Sequence, residues 1–265
     1  MALIDEVNAQ VVPPKCVAAW SLGQVGTILK SDGRILWIDP YLSEHDGRCF
    51  PPPLKPQEVT NADFVFITHE HLDHFDPNTL KSLATASPHA KFVVPFCCRE
   101  PLAKLGVAAA RIVQAKTDEW AKLDGLEFKP IPSAHYEMEM DAAGNARYLG
   151  YLIKLNGVTI YHAGDTIGYN GLVERLLKQP IDLAFLPING RSWKREQMNI
   201  IGNLTAQEAA DLAATAKVDT VIPTHWDLFA ANTENFARFA DHLYANYRNQ
   251  KFHVLHVGEK FMYVK

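Results

Sequence analysis

Apolar residues fall along the chain in short, dense runs: "VGTILK", "RILWID", "DFVFIT", "KFVVP", "LEFKPI", "YLGYLIKL", "VTIYHA", "DLAFLP", "TVIPT" and "FHVLHVG". Their β-branched and aromatic content predicts strands. Between them, stretches at 78–86, 99–105, 171–178, 205–216 and 234–248 have helical spacing. Thr205 with Glu208 forms a capping box ahead of "AADLAATA", and Thr233 precedes a periodic run through Phe236, Phe239, Ala240 and Leu243. Strand and helix alternating over this length predict an α/β protein of layered sheets and helices. The "PPPLKP" stretch at 51–56 predicts a rigid loop rather than a linker, so residues 1–265 are expected to form one domain.

One pattern occurs twice. "GTILKSDGRILWID" (26–39) and "GYLIKLNGVTIYHAGD" (150–165) share the order Gly, three residues, Lys, two residues, Gly, a β run and Asp. Asp32-Gly33 and Asn156-Gly157 both suit two-residue hairpin turns with positive φ at each position. Each hairpin precedes a strand opening on Asp, "ADFVFIT" or "IDLAFLP". Two similar halves packed sheet to sheet predict a four-layer αββα sandwich, with a site built from strand ends of both.

With 48% hydrophobic and 10% aromatic residues, the chain of 265 residues can bury a large core. A net charge of -4 argues against a nucleic-acid-binding surface. No apolar run approaches a membrane span, and the start "MALIDEVNAQVVPPK" lacks a signal-peptide core, so a cytoplasmic location is expected. Cys16, Cys49, Cys97 and Cys98 show no CxxC spacing and read as small buried hydrophobes.

The densest chemistry is "FITHEHLDHFDP" at 66–77. In an extended segment His69 and His71 point the same way, and Asp73 and His74 follow where the chain turns toward a helix starting near Asp76-Pro77. Such a crowd of N and O donors suits a first-row divalent ion. His135, Asp165 and His225 each end a predicted β run elsewhere. Together they make seven candidate ligands, enough for two adjacent metals.

These motifs resemble the metallo-β-lactamase-fold hydrolases over nearly the whole chain: Asp39 in "WIDP" and "THEHLDH" match the first two motifs, and His135, "GDT" and His225 the rest. The resemblance implies that His69, His71 and His135 hold one metal. It implies that Asp73, His74 and His225 hold the other, with Asp165 bridging and Asp39 orienting a ligand histidine. Within this superfamily, "WSLGQVGTILKSDG" (20–33), "YLIKLNGVTIYHAGDTIGYNG" (151–171), "VIPTHWD" (221–227) and "VGEKFMYV" (257–264) are similar to the L-ascorbate-6-phosphate lactonase branch. The wider superfamily points to zinc and the branch to manganese; the branch also implies a homo-oligomer. A metal-dependent hydrolase is therefore expected, using a metal-bound hydroxide on a small lactone or phosphoester such as a sugar-phosphate lactone, with Asp73 and Asp165 in the reaction. A nuclease or phosphodiesterase of the same fold is the alternative. A non-heme iron redox protein ranks lower, because such members place a carboxylate where His71 stands and carry a flavin domain.

For substrate, Arg191, Lys194 and Arg195 in "LPINGRSWKRE" (186–196) could clamp a phosphate or carboxylate. Tyr136, Tyr169 and Trp226 adjoin motif residues and are pocket candidates. His162 reads as packed rather than ligating, and His45, His89, His242, His253 and His256 have no spacing that suggests chemistry.

Overall fold

A computed structural model describes Met1 to Lys265. Its strands are β1 (Cys16–Gly23), β2 (Gly26–Ser31), β3 (Arg34–Ile38), β4 (Phe64–Phe66), β5 (Lys91–Val94), β6 (Ile112–Gln114), β7 (Ala121–Leu123), β8 (Leu126–Pro132), β9 (Leu149–Leu155), β10 (Val158–His162), β11 (Leu183–Pro187), β12 (Thr220–Thr224), β13 (Lys251–Phe252) and β14 (Lys260–Val264). The helices are α1 (Leu3–Ala9), α2 (Pro77–Ala86), α3 (Phe96–Lys104), α4 (Leu172–Leu176), α5 (Trp193–Gln197), α6 (Ala206–Thr215) and α7 (Ala237–Asn246).

The runs "FVF", "LAFLP" and "TVIPT" are buried along their whole length, as befits β4, β11 and β12 covered on both faces. Successive residues go to opposite sides. Val17, Ala19, Phe64 and Phe66 face inward and join Phe128, Tyr151 and Phe185 of the other sheet in one core. Ala18, Trp20, Val65 and Ile67 face outward and pack with Leu80 and Leu83 of α2 and Leu102 of α3. On the far side Leu152, Tyr161, Ala184 and Val221 pack with Leu172 of α4, Ala209 and Ala213 of α6, and Phe239 of α7. Helix, sheet, sheet and helix thus form the four-layer sandwich.

The twofold repeat is a repeat of topology. The first sheet runs β14-β1-β2-β3-β4-β5-β6 and the second β13-β12-β11-β10-β9-β8-β7. In each, an antiparallel hairpin (β2–β3, β9–β10) leads into parallel neighbours (β4, β5, β6 and β11, β12, β13). The edge strand β14 comes from the C-terminus and pairs antiparallel with β1, as β7 pairs with β8. The two hairpin turns differ: Asn156 and Gly157 both have positive φ (54° and 82°), whereas at Asp32-Gly33 only the glycine does (75°).

Other expectations shift. Asp76 does cap α2, accepting from the Asn78 N–H, and Thr205 with Glu208 forms the capping box of α6. Thr233 does not start α7: that helix begins at Ala237, whose N–H is taken by the Asn235 side chain. Only Lys251–Phe252 of the region around "FHVLHVG" pairs as a strand, because the following residues carry the chain from the second sheet back to β14 in the first. β1, β6, β7 and β14, and helices α1 and α5, are additions to the elements that the pattern predicts. No helix is long and apolar enough to cross a membrane.

Phe66 lies edge-on to Phe128 and Tyr151 at 5.3 and 5.0 Å between ring centres, which ties one sheet to the other. Phe66→Ala is expected to cost about 3–5 kcal/mol in denaturant unfolding; a loss below about 1 kcal/mol would show that this contact is not part of the joint between the sheets.

Candidate metal centre

The candidate ligands all follow C-terminal ends of strands: Asp39 after β3, the 69–74 cluster after β4, His135 after β8, Asp165 after β10 and His225 after β12. Parallel strands of both sheets therefore deliver these loops to one place. β4 stops at Phe66, so His69 and His71 converge through bends and a turn, with the His74 and Phe75 N–H groups donating to the His71 carbonyl at 3.0 and 2.7 Å, rather than through strand alternation. Glu70 points away between them. It is paired with Arg147 and accepts from the Cys97 thiol at 3.0 Å, bracing the ligand loop.

The seven groups come together. Ligand atoms of His69, His71 and His135 lie mutually within 4.8 Å, as do those of Asp73, His74 and His225, and those of His69, His74 and Asp165. Asp165 sits between the two sets: Oδ1 is 3.3 Å from His74 Nε2 and 3.4 Å from His225 Nε2, and Oδ2 is 3.7 Å from His135 Nε2. Behind them Asp39 is buried and accepts from the Thr68 N–H (2.8 Å), the Thr68 hydroxyl (2.6 Å) and His74 Nδ1 (2.8 Å). Thr68 Oγ1 also lies 3.0 Å from His69 Nδ1. These contacts put the protons of His69 and His74 on Nδ1 and turn Nε2 inward, the arrangement that metal-binding imidazoles use. Gly164 is part of this support: at φ 60° a Cβ there would come within 2.7 Å of Thr68 Cγ2.

The donor set fits divalent cations. His74 Nε2 and Asp165 Oδ1 are buried 3.3 Å apart without a well-formed hydrogen bond, a costly state unless a proton or a cation lies between them. Burial holds His69 well below the usual histidine range and brings His135 down to about 4, which leaves both as neutral donors. Burial also opposes charge on His74 and His225, but Asp165 and Asp73, joined at His74 by Asp39, outweigh it and raise both. Burial likewise pushes Asp165 and Asp73 up, and the same two histidines more than reverse it. Without metal, protons on His74 and His225 balance the carboxylates.

A cleft of about 600 Å³ opens onto His71, Asp73, His135, Asp165 and His225. His45, which has no telling spacing in the sequence, lines it, as do Tyr41 and Phe229. Tyr148 is a further missed neighbour, its ring 5.3–6.0 Å from His69, His71 and His135. Gln24 is another: its amide donates to Asp73 Oδ2 at 2.8 Å. Only its place beside a strand in "LGQVG" could have pointed to it.

The expected clamp lies elsewhere. Arg191 donates to the Asn203 carbonyl and pairs with Glu208, Arg195 donates to the carbonyls of Asn189 and Thr233, and Lys194 is exposed; none lines the cleft. Their short helix α5 needs the guanidiniums to fasten it down. Tyr169 is not in the lining either: its hydroxyl donates to the Pro132 carbonyl and Arg175 covers its ring. Tyr136 donates to Glu196, and Trp226 packs on Phe236 and His256. His162 is packed, stacked on Phe185 and 3.0 Å from the Val25 carbonyl.

This fold and donor set define a metal-dependent hydrolase of the metallo-β-lactamase fold. Residues 34–226 match the beta-lactamase superfamily domain, and the chain belongs to that superfamily. A UPF0173 metal-dependent hydrolase of Pyrococcus furiosus is 30% identical over 223 residues, spanning 82% of this chain and 89% of its own. A probable L-ascorbate-6-phosphate lactonase of Escherichia fergusonii is 24% identical over 86% of this chain and 74% of its own. The solved structure of Igni18, a metallo hydrolase of Ignicoccus hospitalis, superposes with a TM-score of 0.74 at 22% identity, covering 94% of this chain and 99% of that one.

Since their raised pKa values keep His74 and His225 protonated above the ordinary histidine range, metal must displace those protons from Nε2. Titration calorimetry with zinc in buffers of different ionisation enthalpy is expected to show proton release, and weaker binding as pH falls. Affinity that does not vary with pH between about 5.5 and 8 would contradict this charge balance.

Proposed function

We propose that the protein opens small lactones by hydrolysis, with two divalent ions, zinc or manganese, in the site. The observation that carries this reading is the convergence of seven ligand-type side chains from distant segments at the bottom of an open cleft. His69, His71 and His135 would hold one ion and Asp73, His74 and His225 the other, with Asp165 between them. When bound, such ions polarise the scissile carbonyl and make hydroxide available near neutral pH.

The chain's own residues supply the rest. Asp73 lines the cleft and has Oδ2 held by Gln24, which leaves Oδ1 to take a proton from the attacking water. The new C–O bond forms at the carbonyl carbon, the ring C–O bond breaks, and the same proton passes from Asp73 to the departing ring oxygen, giving a hydroxy acid. Asp39 and Thr68 keep the histidines from turning as charge moves. The likeness to a relative named as a probable lactonase supports a lactone over a phosphodiester.

Chelation is expected to abolish lactone hydrolysis, and added zinc or manganese to restore it. Asp73→Asn should lower kcat by about 10²-fold or more. Full turnover after exhaustive chelation would refute the proposal.

A further inference from the structure

The lining of the cleft divides in two. One part is the ligand cluster, with His45, Asn199 and Asn232 as further polar side chains; the other is an apolar wall of Tyr41, Leu72, Ile200, Ile201, Phe229 and Ala230. Among all the lining residues there is no lysine or arginine. Resting on the hydrolase reading above, we infer that the substrate is a neutral lactone or ester carrying an aliphatic or aryl group, and not a phosphorylated one.

The wall is built to stay in place. The Tyr41 and Phe229 rings lie 5.8 Å apart, and His45 stands edge-on to Phe229 at 5.6 Å. The loop behind Tyr41 is fixed by buried Asp76, which accepts from the Ser43 N–H and hydroxyl, and by Thr79, whose oxygen accepts from the Leu42 N–H. The opposite segment, with Ile200 and Ile201, follows α5, which Arg195 ties to the Asn189 and Thr233 carbonyls. Leu72 sits between His71 and Asp73 and is 56% exposed, so an apolar group entering the site covers a leucine that water otherwise wets.

A phosphate tail would find the opposite of what it needs. The ionisable groups in the lining are His45 and the proposed ligands His71, Asp73, His135, Asp165 and His225. The nearby guanidinium, Arg48, is not part of the lining: it lies over the Tyr41 ring and donates to the carbonyls of Tyr41, Ser43 and Phe50, with Nη2 buried and unpartnered. Arg191 and Arg195 are used in holding the chain. A dianion lodged against the apolar wall would lose hydration and meet no lysine or arginine, only the amides of Asn199 and Asn232 and the imidazole of His45, whereas each buried methylene would gain binding.

The test uses protein reloaded with zinc or manganese and a series from γ-butyrolactone through γ-hexalactone to γ-octalactone, beside 6-phosphogluconolactone. Growth of kcat/KM by up to about fourfold per methylene, and on the order of tenfold or more across the series, is expected, with the phosphorylated lactone poorest. Phe229→Ala and the exposed Leu72→Ser should each reduce the ratio of octalactone to butyrolactone; Leu72→Ser does so without touching the core. A flat series, or preference for the phosphorylated lactone, would overturn this inference and leave the hydrolase reading intact. No turnover of any lactone by the metal-loaded protein would overturn both.

Discussion

The structure depends on one electrostatic constraint: the buried carboxylate of Asp165, the half-buried one of Asp73 and five imidazoles share a space too small and too dry for their charges to go uncompensated. Asp165 is only 4% exposed and faces His74, His225 and His135 within 3.7 Å. Taking such a carboxylate out of water is costly unless positive charge meets it. Protons on His74 and His225 can do this, and divalent cations can do it while also taking the inward-facing atoms that lack a well-formed hydrogen bond. The surroundings serve the same end: Asp39 and Thr68 fix ring orientation, Gln24 holds Asp73, and Glu70, Arg147 and Cys97 brace the loop between the first two histidines.

The fold meets this constraint by using one topology twice. Parallel strands of both sheets end on the same side, so loops separated by more than a hundred residues in sequence can converge. The short return of the C-terminal strand to β1 fastens the second half onto the first. The inter-sheet core centred on Phe66, Phe128 and Tyr151 begins two residues before Thr68, which makes the support of the ligands continuous with the packing that joins the halves.

Much of this is legible in the sequence because the signals are strong and local. Strands covered on both faces read as continuous apolar runs, the paired hairpins expose the repeat, and "HEHLDH" is too dense in ligands to be a neutral loop. Less legible are features that depend on distant partners. Three-residue edge strands such as β6 and β7 carry too few residues for a pattern, and β14 becomes a strand only by pairing with β1 at the far end of the chain. Arg191 and Arg195 look like substrate cations in a linear reading; in the fold their partners are backbone carbonyls and Glu208, which no spacing could reveal. Conversely His45, Tyr148 and Gln24 gain their places only through contacts with residues far along the chain.

The cleft and the cluster have different characters, and function follows from their meeting: a charged centre for bond breaking, and an apolar wall for the part of the substrate that does not react. The most direct measurement of the central claim is anomalous diffraction from crystals grown with zinc or manganese, recorded on both sides of the metal's absorption edge. The account predicts peaks enclosed by His69, His71 and His135 and by Asp73, His74 and His225, on either side of Asp165. An empty map there, or a peak only at Glu70, Cys97 and Cys98, would contradict it.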